Sequence, residues 1–379
     1  MTQDIFLYGI LCHPPLLQLV LGRSVAGEMA HLPGWRAVLG QGHHSPALVV
    51  APLAQVQGTV LRGLTPSEQD RLDFFAACLG LKRVEREVVT DRGAIRTQLF
   101  CPVAEGKGPA AQWSLTDWAK QHGAEMTAAA ADMLRLIGEV PATAINARLN
   151  LMLVRAGGRV RAMHDACPAT VRRQVVPGDI VIDRFQQPYA HFFAVEEYDL
   201  RFRRFDGSLS PPVNRATFIS GDAVTVLPYD ARRDHVLLVE QFRAAPFARG
   251  DQNPWSLEAI AGRIDAGESA EDCARREAQE EAGLTLQTLL PIANYYPSPG
   301  AKTEFLYSFL ALTDLPEGVQ GVFGMGEEAE DIRGHLIPFA RMMQLVSSGE
   351  IANGPLVLTA LWLQRERPRL RAEAGAQGL

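Results

Sequence analysis

Between Gly262 and Leu284 the chain reads GRIDAGESAEDCARREAQEEAGL, and its carboxylates Glu277, Glu280 and Glu281 are spaced for a single helix face. Residues three and four apart lie together on an α-helix, so the three would project from about one turn. Local chemistry favours the helix. Ser269 followed by Asp272 resembles a capping box with Asp in place of Glu or Gln. The interior is Ala-rich and long-chained, and Gly283 is a natural stop. Two readings of the acidic turn follow. One is a solvated face, with Arg276 paired to Glu280 four residues on. The other is a cation site. Like charges on one turn repel by roughly 0.2–0.5 kcal/mol per pair, and a hard cation reverses that sign because Mg²⁺ takes oxygen ligands beside substrate phosphates.

The whole stretch resembles the nudix box. Gly262, Glu268, Arg276, Glu277, Ala278, Glu280, Glu281, Gly283 and Leu284 occupy its fixed positions over 23 residues. The resemblance implies a divalent-metal hydrolase, with Mg²⁺ expected and Mn²⁺ the alternative, acting on a nucleoside diphosphate linked to another group. It implies that Glu277, Glu280, Glu281 and the backbone oxygen of Ala261 ligate metal. Glu268 and Arg276 would orient those carboxylates, and the catalytic set would include Arg276, Glu277 and Glu281.

Composition sets the frame. At 379 residues the chain holds two or three domains, and 47% hydrophobic residues supply ordinary cores. The net charge of −6 argues against a nucleic-acid partner. Five cysteines without a CxxC pair fit free thiols in a reducing cytoplasm. MTQDIFLYG lacks the basic start and long apolar core of a signal peptide, and no run approaches a membrane span.

Residues 4–11, DIFLYGIL, read as a buried strand breaking into a Gly turn. Further strands are expected at 46–64 and 82–101, a short helix opened by Ser67, and a long helix over about 124–137. Tyr8-Gly9-Ile10-Leu11 and Leu72-Asp73-Phe74-Phe75 resemble the YGxL and LDxY/F segments of the gamma-glutamylcyclotransferase-like family. That implies a small mixed barrel over 1–141 whose YGxL turn offers N–H groups to an anion. The family's catalytic acid falls at Ala76, and alanine cannot move a proton. Glu85 and Glu87 are the neighbouring carboxylates. A retained scaffold for packing, dimer contacts or ligand sensing is expected.

Residues 142–177 read as a basic helical linker, with Arg148, Arg155, Arg159, Arg161, Arg172 and Arg173 and a break at Gly157-Gly158. From 178 the pattern turns to strands. A hairpin turn is expected at Asp206-Gly207, and strands 222–228 and 235–242 flank a polar turn. The nudix resemblance makes residues 178–379 an α/β/α sandwich with a mixed sheet, and the chain as a whole α/β (α+β).

Within the nudix enzymes the chain resembles bacterial ADP-ribose pyrophosphatases. The carriers are VEQFR at 239–243, LEAIAG at 257–262, Ser298-Pro299-Gly300 with Glu304, and GEEAEDIR at 326–333. The resemblance implies that Glu328 is the general base and Glu330 a further metal ligand, on a loop hinged at Gly324 and Gly326. Arg243 would bind phosphate or ribose, Phe192 and Arg215 would frame the adenine, and Ser298 and Glu304 would hold the terminal ribose. It also implies a homodimer in which early strands cross to the partner subunit.

The expected activity is therefore Mg²⁺-dependent hydrolysis of ADP-ribose to AMP and ribose 5-phosphate. Three alternatives stand beside it: another nucleoside diphosphate sugar such as GDP-mannose, a sensor that binds ADP-ribose without cleaving it, and a cyclotransferase in the first domain. The domain pairing resembles bacterial nudix proteins associated with tellurite resistance. No membrane partner is expected.

Overall fold

The computed structural model describes residues 4–40, 45–102, 111–316, 318–319, 321–323 and 331–376. The chain divides into two compact units, Met1–Pro168 and Ala169–Leu379.

The first unit runs β1 (Ile5–Leu7), a 3-10 turn (Gly9–Cys12), α1 (Pro14–Leu21), β2 (Glu28–Val38), β3 (Ala47–Leu61), α2 (Pro66–Cys78), β4 (Leu81–Thr90), β5 (Gly93–Pro102), α3 (Leu115–Arg135), α4 (Ala142–Asn146) and α5 (Leu149–His164). The strands close a barrel in the order β1-β3-β2-β4-β5, sealed by parallel pairing of β1 with β5. Its interior is filled by Phe6, Tyr8, Leu32, Val56, Val60, Val88 and Leu99. Strand alternation puts Val84 and Val88 against that core and turns Glu85 and Glu87 outward, where both are exposed. They cannot replace an acid inside the barrel.

Three helical expectations need correction. Thr65, not Ser67, opens α2, because Thr65 and Glu68 form a reciprocal capping box across Pro66. Helix α3 starts earlier than expected, at Leu115, where Ser114 accepts the Asp117 N–H. Helix α5 passes through Gly157-Gly158 without a break. A Cβ on Gly157 would lie 3.1 Å from Glu125 Oε1 of α3, so this glycine serves close helix approach. The α5 face of Leu149, Met152, Leu153 and Ala156 is buried, which a solvated linker helix would not be.

In the second unit, β6 (Ile180–Ala190), β7 (Ala194–Phe202) and β8 (Val213–Ile219) form an antiparallel three-stranded sheet. Then follow β9 (Ala223–Asp230), β10 (His235–Phe242), α6 (Ala244–Arg249), β11 (Trp255–Glu258), β12 (Ile260–Arg263), α7 (Ala270–Ala282), β13 (Thr288–Tyr295), β14 (Leu306–Leu312), β15 (Val322–Phe323), β16 (Ile332–Pro338), α8 (Phe339–Ser348) and α9 (Gly354–Ala376). The main sheet is ordered β13-β14-β9-β10-β16-β15, with β11 beside β10 and β12 beside β9. It is mixed: β14 runs parallel to β9 and the other neighbours are antiparallel.

Alternation along the central strands sends side chains to two cores. Val224, Val226, Leu237 and Val239 pack with Cys273, Ala274 and Ala278 of α7. Leu227, Tyr229, Val236 and Leu238 pack with Phe339 and Met342 of α8 and Leu356 and Leu363 of α9. The result is the expected α/β/α sandwich. Small residues on the inner face of α7 bring that helix close to β12, and enlarging Ala278 would cost about 1–3 kcal/mol in overpacking. Among the described residues no helix is long and apolar enough to cross a membrane.

Candidate active site

Helix α7 carries the acidic turn. Ser269 caps it, accepting the Asp272 N–H at 3.1 Å and donating to the Asp272 carboxylate at 2.7 Å. Gly283, in the left-handed region, closes it. Because Ala274, Ala278 and Ala282 face the sheet, Glu281 is drawn under with them and is only 3% exposed. Its Oε2 accepts the Ala261 N–H of β12 at 3.3 Å. The structure thus brings Glu281 and Ala261 together.

Arg276 is the hub of the site. Its Nε donates to Glu268 Oε1 at 2.9 Å and its Nη2 to Glu268 Oε2 at 3.0 Å. Its Nη1 donates to Glu277 Oε1 at 2.7 Å and to Glu280 Oε2 at 2.9 Å, and Nη2 also reaches the Arg263 carbonyl at 3.0 Å. The expected pairing of Arg276 with Glu280 is one spoke of this set. The contacts, the Glu268 hydrogen bond first, raise the guanidinium pKa further above its ordinary value. Burial works to raise the pKa of Glu268, but hydrogen bonds from Arg276 and the Asp265 N–H hold it below the usual carboxylate value. Burial pushes the Cys273 thiol up, beside the Glu268 charge. Cys273 therefore packs as a neutral thiol and is no nucleophile.

Three carboxylates, Glu268, Glu277 and Glu280, stand around this one guanidinium, and the buried Glu281 of the same helix is held by β12. Where they lie, Glu277 and Glu280 face Arg276, and among the described residues no three acidic, His or Cys side chains converge as a ready metal cage. In charge and donor type the residues fit a hard divalent cation: the donors are oxygens and their charge exceeds that of Arg276. Gly262 adds to the fit, because a Cβ there would lie 1.8 Å from Glu277 Cδ. The bare Cα is what makes room for that carboxylate. Glu328, Glu330 and the Gly324–Gly326 hinge lie outside the described residues.

The expected substrate contacts divide into three groups. Arg243, at the end of β10, is clamped to Glu258 of β11, Nε to Oε1 at 3.0 Å and Nη2 to Oε2 at 2.7 Å. Glu258 is buried; it lies in the LEAIAG segment four residues before Gly262, and the sequence assigns it no contact of its own. Ser298 is exposed, and its carbonyl accepts the Ala301 and Lys302 N–H groups at 3.0 Å each. Glu304 accepts from Lys302 Nζ at 2.8 Å, a cation the reading of the sequence also missed.

Phe192, 55% exposed, sits in the turn between β6 and β7. Its ring lies 4.1 Å from the Arg263 guanidinium carbon and meets Phe193 edge-on at 4.7 Å. Phe193 in turn contacts Phe218 at 4.6 Å, and Phe218 is tied by backbone hydrogen bonds to Ala301 and Thr303. The aromatic turn therefore stands beside the chain's own box strand and the 298–304 loop. Arg215, three residues before Phe218, leaves β8 on the opposite face by alternation, and its Nη1 donates to the Asn214 carbonyl at 2.8 Å.

In the first unit, Tyr8, Ile10 and Leu11 are 5%, 1% and 3% exposed, so only the backbone of this turn can serve a ligand. Burial raises the Tyr8 phenol pKa. Gly9 turns with φ +62° and lines a cleft of about 370 Å³ with Cys12, Arg36, Gln55, Gln57 and Trp113. Among the described residues lining it there is no carboxylate. Ala76 is fully buried in α2.

Comparison with known proteins places two family descriptions on the chain. The NUDIX domain matches residues 220–356, and the gamma-glutamyl cyclotransferase, AIG2-like domain matches residues 5–120. The ADP-ribose pyrophosphatase of Escherichia coli (strain K12) is 38% identical over 195 residues, 52% of this chain and 92% of that protein. The ADP-ribose pyrophosphatase of Haemophilus influenzae is 36% identical over 195 residues, 51% of this chain and 89% of that one. The GDP-mannose pyrophosphatase of Salmonella paratyphi B is 37% identical over 150 residues, 40% of this chain and 77% of its own length.

Proposed function

The chain belongs to the Nudix hydrolase family, and from that premise we propose that its second unit hydrolyses the diphosphate of ADP-ribose. One water is consumed, one phosphoric anhydride P–O bond breaks, and AMP and ribose 5-phosphate leave. The observation that carries the reading is Arg276 gathering Glu268, Glu277 and Glu280 beside the buried Glu281. The 38% identity to ADP-ribose pyrophosphatase over 92% of its length supports the choice of substrate.

A divalent cation, Mg²⁺ or Mn²⁺, would when bound neutralise the diphosphate and lower the pKa of a coordinated water. Glu277, Glu280, Glu281 and the Ala261 carbonyl are the proposed holders. Arg276 and Glu268 orient these carboxylates and fix their charge. Glu328 is the proposed general base and Glu330 a further ligand, both on sequence grounds. Arg243, Ser298 and Glu304 are the proposed contacts to the sugar phosphates, with Phe192 and Arg215 for the adenine. Arg243 would act from a fixed position, since Glu258 holds its fork.

We further propose that the first unit is a binding scaffold without cyclotransferase activity. The alanine at the expected acid position and the lack of a carboxylate among the described residues lining the cleft support this. A cytoplasmic homodimer is the proposed setting, with a link to tellurite resistance resting on resemblance alone. No disulfide joins the cysteines among the described residues. A second reading, hydrolysis of GDP-mannose, is supported by the 37% identity to GDP-mannose pyrophosphatase.

The test is product analysis with Mg²⁺ over ADP-ribose, ADP-glucose, GDP-mannose and NADH, with a gamma-glutamyl dipeptide alongside. AMP and ribose 5-phosphate from ADP-ribose, and no cyclised product from the dipeptide, are expected. Glu281→Gln should lower turnover by about two orders of magnitude, the scale of losing one preorganised charge, with the folded state retained. A near wild-type rate would remove the metal assignment, and tight ADP-ribose binding without products would make the protein a sensor.

A further inference from the structure

Arg263 touches both halves of the proposed site. Its backbone carbonyl accepts from Arg276 Nη2 at 3.0 Å and from Cys273 Sγ at 3.2 Å. The strand residue is thereby fixed to the helix that carries Glu277, Glu280 and Glu281. Its guanidinium carbon lies 4.1 Å from the centroid of Phe192. A planar cation on an aromatic face is an attractive arrangement, and Arg forms it by stacking as well as by charge. Phe193 meets the same ring at 89° and 4.7 Å. The cation over the ring and the second ring set at right angles to it leave Phe192 little freedom to turn, while 55% of the residue faces solvent.

From this arrangement we propose that Arg263 is a positioning residue for nucleobase recognition: it fixes Phe192 as a stacking surface at a set distance from the carboxylates around Arg276. The inference rests on the reading of the second unit as a nucleoside diphosphate hydrolase and deepens it. It means that one chain supplies both the diphosphate end and the aromatic end of its own site. A flat base stacked on Phe192 then sets where its diphosphate falls against α7. A substrate without the base loses that alignment.

The experiment measures two things on the full-length protein and its variants: steady-state hydrolysis of ADP-ribose with Mg²⁺, and equilibrium binding of AMP and of ribose 5-phosphate in EDTA. Arg263→Ala should weaken AMP binding and raise KM for ADP-ribose roughly tenfold, within the range of a desolvated cation–aromatic contact. The loss should fall on KM and not on kcat, and ribose 5-phosphate binding should not move. Arg263→Lys, which keeps a cation, should recover most of the AMP affinity; Arg263→Met, which keeps bulk alone, should not. Phe192→Ala should show the same loss, and the Arg263→Ala/Phe192→Ala double variant should be no worse than Phe192→Ala alone. AMP affinity that ignores residue 263, full function in Arg263→Met, or independent addition of the two losses would each overturn the proposal. A wild-type protein that binds AMP through Arg263 but leaves ADP-ribose intact would sink the hydrolase reading and keep this one. No AMP binding by the wild type would overturn it.

Discussion

Gly262 lies under the carboxylate of Glu277: a Cβ added to Gly262 would stand 1.8 Å from Glu277 Cδ and 2.4 Å from its Cγ. The fixed glycine of the motif is therefore a matter of space. Strand β12 pairs with β9 through Gly262 and Val224, so the backbone cannot retreat without breaking a ladder. Gly262→Ala must displace Glu277 from Arg276. A shift of about 1 Å in a catalytic group costs on the order of 10²-fold, and that is the expected fall in kcat. Circular dichroism should show the fold intact. An alanine variant with wild-type kcat would mean that the position of Glu277 is immaterial.

The Arg276–Glu268 pair gives a pH signature. The folded-state pKa of Glu268 lies below its ordinary value of 4.5. Folding thus weakens its hold on a proton, and its contribution to stability is complete above that ordinary value. The contribution disappears as pH falls through the lowered folded value. Glu268→Gln removes the titrating group. Urea unfolding of this variant should therefore lose less stability than wild type between about pH 6 and pH 3. Parallel curves for the two proteins would show that Glu268 is not held in its charged form.

What the sequence disclosed follows from where the information sits. The acidic turn is legible because its residues are helical neighbours, and Ser269 and Gly283 announce the helix ends locally. The Arg243–Glu258 clamp depends on β10 pairing with β11, Val239 opposite Glu258, and no local pattern sets that register. The Arg263–Phe192 stack joins a box strand to a turn far upstream. A long cation beside the box glycine was its only trace. Gly157 was misread because glycine serves two purposes: in a sequence it signals a break, and here it admits the Glu125 carboxylate. Thr65 was missed in favour of Ser67, although Thr-Pro-Ser-Glu already has the capping spacing.

Arg243→Lys is not a conservative change. A lysine offers one ammonium where Glu258 accepts from two nitrogens of a planar fork. Glu258 is 7% exposed in its side chain while Arg243 is 41% exposed, so solvent compensates one partner and not the other. A loss of about 2 kcal/mol is expected, below the 3–5 typical of fully buried pairs. KM for the nucleotide substrate should rise together with the fall in Tm. If KM rises while Tm stays fixed, Arg243 serves the substrate alone and its clamp is incidental.

Gly9 makes the corresponding test of the first unit. Its φ of +62° carries the chain from β1 into the 3-10 turn, a conformation that costs an L side chain about 1–2 kcal/mol. Space is short as well: a Cβ would lie 2.5 Å from Cγ of Pro46, and such overpacking costs about 1–3 kcal/mol. The two costs act at one atom and together come to roughly 2–5 kcal/mol. Gly9→Ala should lower the melting temperature of the first unit by roughly 5–15 °C at its size. Gly63→Ala is the matched control, since Gly63 has a similar φ of +64° but nothing within 4 Å of its Cβ position. Scanning calorimetry on both variants separates the two causes. A larger loss at Gly9 measures the Pro46 contact, and equal losses would assign the whole effect to backbone conformation.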